Sequence, residues 1–150
     1  MNKGELTAEA LSRILQIHTD RINAYKKALS KSKRLELDLK VIFERMIEES
    51  MRFKNELNSK LNASNGVTLK DFFSKAKSQN NWIGTKAILT ADRRNILTGC
   101  ALDEEMVGDA YINALALDNQ MDSSIGQLLI AQLESSEVLR QNIKKYHSAQ

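Results

Sequence analysis

Four long stretches of this chain repeat apolar side chains at steps of three and four residues, a rhythm that belongs to amphipathic helices packed side by side. The first covers residues 7–30, with Leu11, Leu15, His18, Ile22, Tyr25 and Leu29 along its stripe. The second covers 35–61, with Leu39, Phe43 (Ile42 beside it), Met46, Ser50, Phe53 and Leu57. Residues 92–117 carry Leu97, Cys100, Glu104, Val107, Tyr111 and Ala114. Residues 121–146 carry Ile125, Leu129, Gln132, Ser136, Leu139 and Ile143. The sequence holds no proline, a residue that breaks helix interiors but is common in loops. Aromatic residues make up only 5%, which argues against a β-sandwich, whose sheet faces they usually fill.

The connections set the topology. Lys31-Ser32-Lys33-Arg34 is a short basic turn, so the first two helices are antiparallel neighbours. Asp118-Asn119-Gln120 joins the last two in the same way. Residues 63–91 between the hairpins read as a crossover. Asn65-Gly66 is a turn signal, and Thr68 can cap a short helical stretch with Asp71 in its first turn. Phe72, Phe73 and Ala76 give that stretch an apolar side, Gln79-Asn80-Asn81 interrupts it, and Trp82-Ile83 resumes the pattern as far as Leu89. Thr7 and Asp92 are the expected N-caps of the first and third long helices. Two short-loop hairpins joined by one long crossover is the connectivity of ferritin-like bundles and not of simple up-down-up-down bundles. The expectation is one all-α, ferritin-like four-helix domain over residues 1–150, with a short extra helix in the crossover.

Charge is unevenly spread. Residues 1–94 hold 19 Lys/Arg against 11 Asp/Glu, a balance of +8. From Asn95 to Leu139 there are eight acids and no Lys or Arg. Opposite halves of this kind suit surfaces that face each other within a molecule or across an oligomer, so self-association as a dimer or higher is expected. The acidic stretch argues against nucleic acid as a partner, which an unbalanced basic face would serve. No apolar run approaches the roughly 18 residues that a membrane span needs. No apolar run follows Lys3 as a signal peptide would require, so the expected location is the cytoplasm. A single cysteine, Cys100, leaves no internal disulfide and no cysteine-based zinc site; on an apolar stripe it reads as a buried, inert thiol.

Several of these residues carry a family likeness. Trp82-Ile83 and Lys86 in the crossover lead into the Asp92 cap, followed by Ile96-Leu97, Cys100, Glu104, Ala110-Tyr111 and Ala114-Leu115. Asp20 with Tyr25, and Phe53 with Glu56-Leu57, fit the same layout. In this pattern the chain resembles a bacterial family of four-helix-bundle proteins of unknown function within the ferritin-like superfamily. The resemblance implies a fold and no established activity.

A ferritin-like fold raises the question of a di-iron carboxylate centre, built from a Glu on each of two helices and a Glu-x-x-His on each of the others. No glutamate here has a histidine three positions later, and His18 and His147 are the only histidines. A looser site survives on geometry. Counting outward from each turn sets His18 level with Glu49 and Ser50, and Glu104 level with Ser136 and Glu137, with Gln132 one turn away. Three readings stay open: a hydrogen-bonded polar layer inside the core, a metal site using His18, Glu49, Glu104 and Glu137, or helices rotated so that Glu49 and Glu137 face solvent. The metal site would bind iron or another divalent metal.

No serine activated by a base can be picked out, and Gly99, Gly108 and Gly126 stand isolated within helical patterns, where they suggest close helix approach rather than a phosphate loop. Trp82 and Phe72-Phe73 read as lying against the bundle or as a partner-binding surface. The leading expectation is a non-enzymatic bundle without catalytic or cofactor-binding residues, acting as a stress-associated or interaction module. The alternative is a degenerate metal-binding or iron-handling carboxylate protein that uses the mid-bundle polar layer.

Overall fold

The computed structural model describes residues 3–32, 35–63, 82–88, 92–117 and 121–148. Within them lie four long helices and one short one: α1 (Lys3–Lys31), α2 (Leu37–Ala63), α3 (Ile83–Ala87), α4 (Arg93–Leu115) and α5 (Ser123–Ser148). Lys33, Arg34 and Asp118-Asn119-Gln120 of the two turns lie outside the described residues. So do Asn65-Gly66, Thr68, Asp71, Phe72, Phe73, Ala76, Gln79-Asn80-Asn81 and Leu89 of the crossover, and the side chain of His147.

Helix ends follow local chemistry. The Asp92 carboxylate accepts from the backbone N–H of Arg94 and Asn95, at 2.9 and 3.3 Å, and fixes the start of α4. Asp122 accepts from the N–H of Ser124 at 3.0 Å, so α5 begins at Ser123 and not at 121. Thr7 is not a cap: α1 starts at Lys3 with Glu5 in its first turn, where an acid complements the helix dipole, and Thr7 is buried inside the helix.

Helix directions can be read from side-chain pairs. His18 and Arg21 of α1 meet Ser50 and Glu49 of α2, so that pair is antiparallel. Along α1 from His18 to Tyr25, the partners on α4 run backwards from Tyr111 to Asp103. Arg52 and Phe53 of α2 meet Ser135 and Gln132 of α5, again in opposite order. Tyr111 and Glu105 of α4 meet Gln132 and Arg140 of α5. Every lateral neighbour is therefore antiparallel, and α2 and α4 run parallel at opposite corners. Their N-terminal ends lie together, where Arg93 bonds Asp38 (2.8 Å between Nη1 and Oδ1) and Glu36 (2.9 Å).

The core is the set of stripes facing inward, from Leu39, Phe43, Met46 and Leu57 on α2 to Leu97 and Val107 on α4 and Leu129 and Ile143 on α5. On α1 the buried line is Ile14, His18, Arg21, Tyr25 and Ala28, a part-turn away from the stripe through Ile22 and Leu29, which are only half-buried. This shift puts an arginine in the middle of the bundle. No helix among the described residues is long and apolar enough to cross a membrane.

Candidate functional site

At mid-bundle the four long helices contribute one continuous polar layer. His18 Nδ1 lies 2.9 Å from Ser50 Oγ on α2, and its Nε2 lies 2.8 Å from the Tyr111 hydroxyl on α4. Tyr111 also reaches Gln132 Oε1 on α5 at 2.6 Å, and Gln132 Nε2 reaches the Phe53 carbonyl at 3.1 Å and Glu56 Oε1 at 3.2 Å.

One backbone carbonyl fixes the direction of every bond in this chain. Phe53 C=O can only accept, so the amide nitrogen of Gln132 faces it and the amide oxygen faces Tyr111. Tyr111 must then donate to Gln132, and its oxygen is free to accept from His18 Nε2–H. That leaves Nδ1 as an acceptor, so Ser50 donates to it. The Ser50 oxygen accepts in turn from Arg21 Nη1 at 3.1 Å. The chain runs one way, from the Arg21 guanidinium to the exposed Glu56 carboxylate, through a neutral histidine whose tautomer is set by its partners.

Arg21 has no exposed side-chain surface and sits between two acids. Its Nη1 donates to Glu49 at 3.3 Å, and its Nη2 pairs with Glu104, whose side chain is 1% exposed. The Arg21 Nε–H finds no acceptor among the described residues, a cost added to the desolvation that the two pairs must offset. Burial pushes the Glu49 carboxyl above its usual range while the Arg21 charge pulls it back. Burial, with Arg21 and then Lys54 nearby, lowers His18 to about 3. Burial likewise raises the Tyr111 hydroxyl.

A second cluster lies two turns along. The Tyr25 hydroxyl donates to Asp103, and Asp103 also accepts from the backbone N–H of Ile83 at 2.8 Å and of Gly84 at 2.9 Å. Helix α3 has no side-chain cap of its own at Trp82. Asp103 of α4 therefore caps it from across the interface. The approach is close enough to need two glycines. A Cβ on Gly99 would fall 2.7 Å from Gly84 N and 2.8 Å from Gly84 Cα, and one on Gly84 would fall 2.8 Å from the Tyr25 hydroxyl. Gly108 and Gly126 are different: a Cβ there meets only an ordinary contact at 4.0 Å, so the close approach expected of them is absent. Trp82 is buried edge-on to Tyr25, with ring centroids 6.2 Å apart. Burial raises Asp103 against the hydrogen bonds from Tyr25, Gly84 and Ile83. Burial raises Cys100, whose Sγ lies 3.8 Å from the Tyr25 hydroxyl, to about 12, leaving a thiol and no thiolate.

Of the four residues singled out as metal candidates, the structure brings His18, Glu49 and Glu104 together around Arg21. Glu137 stays apart on the surface, 47% exposed and paired with Arg140 at 3.1 Å. Ser136 is buried but turns its hydroxyl onto its own helix at Leu133 O, so Gln132 is the residue that α5 adds to the layer. The donor set does not fit a metal. A guanidinium occupies the space between the carboxylates, both His18 nitrogens are engaged, and no cluster of three possible ligands exists among the described residues. Sequence reasoning missed Arg21, which lies three residues after His18 and four before Tyr25 and so on their face of the helix; that spacing was the available signal.

Ser50 and His18 have the reach of a nucleophile and its base. Both are fully buried, however, the serine oxygen already accepts from Arg21, and a histidine lowered to about 3 is a weak base. The layer meets solvent only at its edges, at Glu56 and where Glu49 lines a groove of about 430 Å³ between α2 and α5. No family model, curated protein or solved structure matches the chain.

Proposed function

We propose that the chain is a ferritin-like bundle that acts as a non-catalytic interaction protein, with its mid-bundle centre given over to a structural polar layer. The ferritin-like reading is supported by the parallel, diagonal placement of α2 and α4, which a long crossover between the two hairpins produces. The observation that carries the functional reading is Arg21, fully buried between Glu49 and Glu104. A fixed cation there supplies the charge that a metal would supply in a carboxylate centre, and it offers neither an open coordination position nor redox chemistry. The buried, weakly basic His18 and the occupied Ser50 support the same conclusion for acyl transfer.

The test is elemental analysis of natively purified protein for iron, manganese and zinc, repeated after iron(II) is offered without oxygen. The expected result is far less than one metal per chain in both samples. One or two metals per chain, lost in a His18→Ala variant, would contradict the reading and restore the iron-handling alternative.

A further inference from the structure

A groove of about 560 Å³ runs between α4 and α5, and none of its lining side chains belongs to the Arg21 layer. Its floor is apolar. Ile112 stands 57% exposed, Leu133 is half-buried, and Gly108 lies between them. Unlike Gly84 and Gly99, Gly108 is not required by the packing, since a Cβ there meets only Leu133 Cδ1 at 4.0 Å. A glycine inside a helix costs about 1 kcal/mol against alanine. Here it leaves the groove floor open. Ile130, 46% exposed and one turn before Glu134, extends the apolar surface along α5.

The rims are acidic. Glu105 and Asp109 on α4 face Glu134 and Glu137 on α5. Arg140, the one cation in the lining, is held by Glu105 at 3.4 Å and Glu137 at 3.1 Å. Of the eight acids between Asn95 and Leu139, Asp103 and Glu104 are buried and these four line the one groove.

We propose that this groove docks a basic amphipathic helix of another protein, its apolar stripe over Gly108 and its Lys and Arg side chains on the two acidic rims. Charge complementarity selects the occupant. On a second copy of this chain, the exposed apolar side chains of the long helices stand among charges of both signs or apart from the basic ones. On α1, Lys26, Lys27 and Lys31 have no exposed large apolar side chain beside them, the one on that helix being Leu6 at its far end. On α2, the exposed Leu37, Val41 and Met51 stand among Lys40, Arg45 and Arg52 but also Glu44 and Glu48, which would set acid against acid. On α5 the exposed Val138 stands beside Glu134 and Glu137 as well as ahead of Lys144, Lys145 and Tyr146.

The experiment is fluorescence anisotropy of the full chain with two labelled helical peptides that share one leucine stripe, flanked in one by Lys and Arg and in the other by Glu. The basic peptide binds saturably, at least about tenfold more tightly than the acidic one, and loosens with added salt as the rim charges are screened. Gly108→Met, which fills the floor, weakens binding about tenfold or more while the thermal midpoint stays level or rises. Asp109→Lys combined with Glu134→Lys does the same through the rims. Equal binding of both peptides, no binding of either, or binding unmoved by both variants overturns the proposal. So does a parent dimer in sedimentation velocity that Gly108→Met dissociates, because that result puts a second copy in the groove.

Discussion

Replacing Arg21 with methionine removes one charge from a place where water cannot compensate. The guanidinium side chain is 0% exposed, and its two carboxylate partners are 9% and 1% exposed. Methionine nearly conserves the length and fills most of the space, so the cavity contribution stays small. What remains is electrostatic: Glu49 and Glu104 are left buried together, and Ser50 loses the donor at 3.1 Å. Breaking a buried pair by removing one partner costs about 3–5 kcal/mol. Against the roughly 5–15 kcal/mol that holds a domain together, that is about a fifth or more. Urea unfolding followed by circular dichroism at neutral pH measures it, with the midpoint shift converted through the slope.

The same variant has a pH signature. Burial already raises Glu49, and Arg21 is the first influence holding it down. Without Arg21 the folded-state value rises further above the unfolded one. A raised carboxyl adds stability that is fully present below the unfolded value, near 4.3, and is lost as pH climbs through the folded value. The deficit of Arg21→Met therefore shrinks as the pH falls. A variant within about 0.5 kcal/mol of the parent at neutral pH, the range of an ordinary surface substitution, would mean that Arg21 does not hold the two carboxylates in the core.

Three further outcomes follow from the geometry. His18, lowered to about 3, gives stability that is complete above its unfolded value near 6.5 and lost as pH drops between the two, at about 1.4 kcal/mol per pH unit. His18→Gln removes that slope and leaves the opposite contributions of Glu49 and Asp103 in place, so unfolding midpoints plotted against pH separate parent from variant; parallel plots would contradict the assignment. Tyr111→Phe strands His18 Nε2–H and Gln132 Oε1 and costs about 1–3 kcal/mol in the same urea assay, and a neutral result would mean that the chain of donors is broken elsewhere. Gly99→Ala drives a methyl into the backbone of α3, costing about 1–3 kcal/mol and shifting the emission of Trp82 to the red, whereas Gly108→Ala adds up to about 1 kcal/mol; equal effects would contradict the difference in packing.

The stripes of α2, α4 and α5 were readable because apolar spacing reports directly on the buried face. Leu39 to Leu57, Leu97 to Ala114 and Ile125 to Ile143 are buried at every position the spacing marked. On α1 the same spacing fits two overlapping lines. Leu11, Leu15, His18 and Tyr25 are buried as marked, but Ile22 and Leu29 are only half-buried while Arg21 and Ala28 are buried, and hydropathy penalises an arginine wherever it sits. Hydropathy describes one residue at a time, but the burial of Arg21 depends on Glu49 and Glu104, 28 and 83 positions away. Asp103 was overlooked for a similar reason, since its task is to cap α3, twenty residues earlier. Counting from the turns did find the level at which His18, Glu49, Ser50 and Glu104 meet. It failed for Glu137 because a height along the bundle does not fix which side of α5 faces inward.

Everything in the mid-bundle layer turns on a neutral His18 that donates from Nε2 and accepts at Nδ1. Long-range proton–nitrogen NMR on labelled protein, with His18→Gln to assign the ring, observes both nitrogens directly. At about pH 5, below the ordinary histidine value and above the one that burial and Arg21 impose, Nδ1 is expected unprotonated and Nε2 protonated. An imidazolium at that pH, or a proton on Nδ1, would contradict that state of the ring.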